Sequence, residues 1–89
     1  MPTSELIAKL AEDNMVSIEL IELNETEILL SVNSGRVSWN FESGYDALKE
    51  EIEESLESIR EEKEFTHQGF LYSNLQNIYN FFKAFKNSL

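Results

Sequence analysis

The chain of 89 residues carries 17 acidic and 7 basic side chains, a formal net charge of −10. One small domain with a modest core is expected at this length, and the charge argues against binding a phosphate backbone or an anionic membrane. The absence of cysteine rules out a disulfide framework, a zinc–thiolate site and a cysteine nucleophile, and suits a reducing compartment.

In chain order, Thr3 can cap a short helix over about residues 4–12, with Glu5 near its positive end and Leu6, Ile7 and Leu10 as its apolar edge. The opening residues lack the basic region and long apolar run of a secretory signal. Asp13-Asn14 then reads as a turn. Three strands are expected next. The first, from Val16 to Leu20, alternates with period two and blurs at Ile21 before Leu23. After a turn at Asn24-Glu25, the second runs from Thr26 to Asn33 with Ile28, Leu30 and Val32 on one face. The third, from Arg36 to Glu42, sets Val37, Trp39 and Phe41 on one face and Arg36, Ser38, Asn40 and Glu42 on the other. Between the last two strands lies Asn33-Ser34-Gly35-Arg36, where Gly35 can supply the positive φ of a tight hairpin. A three-stranded antiparallel meander with one buried face is expected, and Trp39 should be largely buried.

The stretch from residue 43 to 64 reads as a long amphipathic helix. Tyr45, Leu48, Ile52, Leu56 and Ile59 recur at helical spacing, and Ser43 followed by Asp46 resembles a capping box. Off that stripe nearly everything is glutamate: residues 42–64 hold ten acids against three bases, a net −7. Residues 1–41 carry a net −5, and residues 65–89 contain no acid and a net +2. After a break at Thr66-His67-Gln68-Gly69, Leu71, Leu75, Ile78, Phe82 and Phe85 mark a last helix over about 70–86. Its remaining aromatics, Phe70, Tyr72, Tyr79 and Phe81, leave it apolar around more of its circumference than one sheet face can cover. The expected class is α+β in the order α-β-β-β-α-α, without a repeat or linker. No apolar run approaches the roughly 18 residues of a membrane span.

Candidate chemistry is sparse. His67, the single histidine, has no cysteine, second histidine or obvious nucleophile nearby and reads as a solvated loop residue. Glu50, Glu54, Glu57 and Glu61 form one column on the acidic helix, but the Glu-x-x-His partners of a carboxylate metal site are missing. No glycine-rich phosphate loop exists. Neither an enzyme nor a cofactor is expected. The glutamate column has a second reading besides solvation. Residues three or four apart on a helix rise about 4.5–6 Å, and a nucleic acid backbone also carries a charge every few ångström. A row of exposed carboxylates can therefore present a basic groove with something like a line of phosphates.

In element order, size and acidity the chain resembles the small acidic anti-CRISPR proteins that inhibit the effector nuclease of type II-A systems. The similarity is carried by Glu5-Leu6-Ile7, by Ile18-Glu19-Leu20, by Leu29-Leu30 running into Val32-Asn33, and by Tyr72-Ser73-Asn74-Leu75-Gln76-Asn77-Ile78. The resemblance implies a phage-encoded, cytoplasmic inhibitor that mimics nucleic acid and occupies the groove where the nuclease reads duplex DNA. It places contacts in the loop after the first helix, here Asp13 and Asn14. It places others in the second hairpin turn, here Asn33 and Ser34, and in the connection between the last helices, here Glu61, Glu62 and Glu64. The column of Glu50, Glu54 and Glu57 extends this partner-binding set. The hairpin departs from the family, whose turn is acidic, because Arg36 would face a basic groove unfavourably. An alternative is an acidic structural or regulatory module dimerising through its aromatic C-terminal helix. Monomer and dimer are both compatible with the sequence.

Overall fold

The computed structural model describes residues 4–65 and 69–89, with the side chains of residues 65, 69 and 70 left aside; the expected Thr3 cap and His67 lie outside the described residues. The elements are α1 (Ser4–Asp13), β1 (Ser17–Glu22), β2 (Glu27–Ser34), β3 (Val37–Gly44), a 3-10 turn (Tyr45–Ala47), α2 (Leu48–Phe65) and α3 (Gly69–Asn87). The strands form one antiparallel sheet in the order β1-β2-β3. Helices cover one face of it, so the α+β meander is as the sequence implies. Along that face α1 packs on β1, α3 packs on β2 and β3, and α2 lies outside α3 against β3.

Local chemistry explains the connections. Helix α1 ends in a Schellman motif: Val16 N–H donates to Ala11 O at 3.0 Å and Met15 N–H to Glu12 O at 3.2 Å. Met15 occupies the left-handed position with φ 59°, and the buried pair Ala11 and Val16 supplies the apolar contact of the motif. Between β1 and β2, Asn24 Oδ1 accepts from the backbone N–H of Thr26 at 2.8 Å and of Glu27 at 3.0 Å, an Asx turn. The β2–β3 connection is the two residues Gly35 and Arg36, since Ser34 pairs with Val37. Gly35 has φ +59°, the first-position positive φ that type II′ hairpins need.

The core is one cluster in which Ile28, Leu30 and Val32 of the central strand are closed off completely or nearly so. Above them, Phe82 meets Phe41 at 5.8 Å between ring centroids, and Phe81 lies 5.5 Å from Phe82 and 5.9 Å from Phe85. Burying such a side chain contributes about 1.5–3 kcal/mol.

Several expectations need correction. Ser43 does not cap a helix: it continues β3 opposite Ile28 and is buried, its hydroxyl donating to Gly44 O at 3.0 Å. The chain turns only at Tyr45, whose N–H donates to Thr26 O at 2.8 Å. Tyr45 therefore belongs to the 3-10 turn, and the inward stripe of α2 runs Leu48, Ile52, Ser55, Ile59, with Leu56 half-buried beside it. Small Ser55 permits close approach at that point. In α3, Phe81 is fully buried whereas Leu71 is 48% exposed. Helix α3 is the central helix, touching α1, α2 and the sheet, so more than one of its faces is covered. Leu71 lies before Asn74, which already reaches the hairpin at Gly35, so the sheet has ended beneath it. Leu6 is on the exposed side of α1, and Ala11 replaces it inside. Trp39 is half-buried rather than largely buried, because β3 is an edge strand with no neighbour on one flank.

Candidate acidic interaction surface

Topology brings the three implied contact places to one end of the molecule. Ser17, just after the α1–β1 turn, pairs with Asn33, next to the β2–β3 hairpin. The hairpin is held to α3: Ser34 Oγ donates to Asn74 Oδ1 at 3.2 Å, and Asn77 Nδ2 donates to Ser34 Oγ at 3.3 Å. Because Asn74 lies near the start of α3, the end of α2 and the beginning of α3 project past the hairpin. With axial extents of 40 × 22 × 21 Å, the molecule is elongated.

At this pole Asp13 is exposed, and half-buried Asn14 turns its amide back to donate to Leu10 O at 2.8 Å. Asn33 lies on the uncovered sheet face and is half-buried. Ser34 is 5% exposed and fully engaged with α3; its role is to lock the hairpin, and it does not contribute to the outer surface. Glu61, Glu62 and Glu64 are all exposed on the projecting end of α2. Asp13 and Asn14 stand at the end of α1 and Glu61, Glu62 and Glu64 at the end of α2, two helices that each pack on α3. The acids of this pole therefore come from two helices tied together by a third. Glu50, Glu54 and Glu57 are exposed along α2, with Glu50 about 16 Å from Glu61 along the axis and near the opposite pole.

Few of these charges are neutralised. Among the described residues only two α2 glutamates have an ion-pair partner: Glu57 with Arg60, and Glu53 with Lys86 at 3.4 Å. Lys63, sequentially between Glu62 and Glu64, turns away from both. Its Nζ lies 4.6 Å from the ring centre of Tyr79 and 5.6 Å from that of Tyr72, a cation–π contact that ties α2 to α3. Sequence periodicity missed this lysine, although its spacing from the inward residues Ile52 and Ile59 places it near the α3 side. Among the described residues no three acidic or histidine side chains converge as a metal site, and no helix is long and apolar enough to cross a membrane. The aromatic residues Phe81, Phe82 and Phe85 are consumed by the core. Among its described side chains, the large hydrophobics that α3 leaves exposed are Leu71 and Tyr72.

Comparison with known proteins yields no match: no family model, curated protein or solved structure is similar to this chain.

Proposed function

We propose that this protein is a stoichiometric inhibitor that mimics nucleic acid and blocks the DNA-reading groove of a basic nuclease, a type II CRISPR effector being the partner its sequence resemblance implies. The observation that carries the reading is the exposure of Glu61, Glu62 and Glu64, without ion-pair partners among the described residues, on the end of α2 that projects beyond the sheet. Carboxylates so placed can take the arginine and lysine contacts that DNA would otherwise use. Charge-assisted bonds of this kind are stronger than neutral ones, and the surrounding negative field speeds encounter with a basic surface. No bond is made or broken in the partner; inhibition is competition for the groove.

The test is cleavage of target DNA by a type II-A effector at increasing amounts of this protein. Cleavage should fall to zero near equimolar inhibitor. Replacing Glu61, Glu62 and Glu64 together by glutamine keeps shape and removes charge, so the inhibitory concentration should rise about tenfold or more while folding is retained. Glutamine at Glu25 and Glu27, at the opposite pole, is the matched control and should matter less. Full cleavage at large molar excess across several such effectors would refute the proposal.

A further inference from the structure

We propose that β3 is a self-complementary edge through which two copies of this chain pair into one continuous sheet. Edge strands expose a row of unpaired N–H and C=O groups, and proteins that must stay apart guard them with proline, lysine or a bulge. Strand β3 has none of these. It contains no proline or lysine, and its pairing with β2 runs unbroken from Glu27↔Gly44 to Ser34↔Val37. Its apolar residues are also incompletely covered: Val37 and Trp39 are half-buried, while Phe41 beside them is closed.

The occupant follows from the order of side chains. Around Trp39 the chain reads Arg36, the turn residue just before the strand, then Val37, Ser38, Trp39, Asn40, Phe41 and Glu42 of β3 itself. An antiparallel copy centred on Trp39 sets Arg36 opposite Glu42 of the second copy, Val37 opposite Phe41, and Ser38 opposite Asn40, each twice by symmetry. Opposed strand residues are then on the same face: apolar residues meet on the helix side, hydroxyls meet amides on the open side, and the turn residue Arg36 meets the charge of Glu42 at each end of the pair. Cross-strand pairs of these kinds are the favourable ones, and an identical patch on both partners is what a two-fold dimer requires. In a protein of net charge −10, this edge is suited to self-association because its paired stretch, residues 36–42, holds one base and one acid and is neutral overall.

Strand β1, the other edge, offers no such match. Self-pairing centred on Glu19 opposes two glutamates, and centring on Leu20 opposes Glu22 to Ile18. The β3 dimer also accounts for Arg36 in the hairpin turn at the acidic pole, since Glu42 of the second copy takes its charge. The two acidic poles then lie at opposite ends of the pair. This inference stands apart from the nuclease reading and needs no third protein.

One strand pair buries little area, which places the dimer in the weak, concentration-dependent class. Sedimentation equilibrium at physiological ionic strength should show monomer at low concentration and dimer towards millimolar protein, and emission of Trp39, the single tryptophan, should shift to the blue over the same range. Arg36→Glu or Glu42→Arg alone opposes like charges twice per dimer and should weaken pairing about tenfold or more. The double exchange should restore it. Both sites are exposed, and circular dichroism verifies folding of each variant. A monomer at every concentration, single reversals without effect, or a double exchange that fails to rescue each overturns the proposal.

Discussion

Met15 and Gly35 share a φ of 59° for opposite reasons. Met15 closes the Schellman motif of α1 with its side chain 74% exposed, so it carries the strain of positive φ without packing in return. Met15→Gly should therefore raise stability by about 0.5–1 kcal/mol, read as a higher urea midpoint with unchanged slope. At Gly35 the direction reverses. A Cβ there would stand 2.4 Å from Asn74 Nδ2, on a backbone of φ +59°. Gly35→Ala should cost about 1–2 kcal/mol in the same measurement, because it strains the turn and pushes Asn74 off the Ser34 hydroxyl that fastens hairpin to helix.

Among the elements, α3 organises the interior and β3 sits at its margin. Phe82 is fully enclosed between Phe41 and Phe81, so Phe82→Ala should cost about 3–5 kcal/mol. Trp39 is larger but only half-buried, and Trp39→Ala should cost about half that, roughly 2 kcal/mol. Thermal unfolding of the two variants side by side checks the ranking; an equal or greater loss at Trp39 would mean that the edge strand is better covered than its burial indicates. Helix α2 draws its hold from the same centre, since its inward residues Leu48, Ile52 and Ile59 are buried and Lys63 clasps the tyrosines of α3.

For the molecule as a whole, charge opposes folding. The glutamates of α2 repel one another at helical spacings, each like pair costing about 0.2–0.5 kcal/mol, and the surface ion pairs Glu57–Arg60 and Glu53–Lys86 compensate little. Added salt screens repulsion between exposed charges. The melting temperature followed by far-ultraviolet circular dichroism should therefore rise from low to high sodium chloride. It should rise less in the variant with glutamine at Glu61, Glu62 and Glu64, which should melt no lower than the parent at low salt. A melting temperature independent of salt would show that the acidic face carries no repulsive strain, and would remove the inference that these carboxylates are held ready for a basic partner.

By itself the sequence determined what depends on neighbours along the chain. Period-two alternation assigned Ile28, Leu30 and Val32 to one face, the 3.6-residue period placed Ile52, Ile59, Ile78 and Phe85 inward, and Gly35 announced its turn. The acidity of α2 was equally legible, since charge needs no fold to be counted. Tertiary structure decided what depends on where an element runs out of neighbours. Ser43 looked like a cap because capping chemistry is local, yet the ladder with β2 carried it further as strand. Leu71 continued the period of α3 but lies beyond the end of the sheet, and Phe81 broke the period but is enclosed because helices flank α3 on both sides. The gathering of Asp13, the hairpin and Glu61 at one pole, and the removal of Ser34 from its surface, likewise came from packing. Sequence spacing records the face a residue takes, whereas only the assembled layers decide whether anything stands opposite that face.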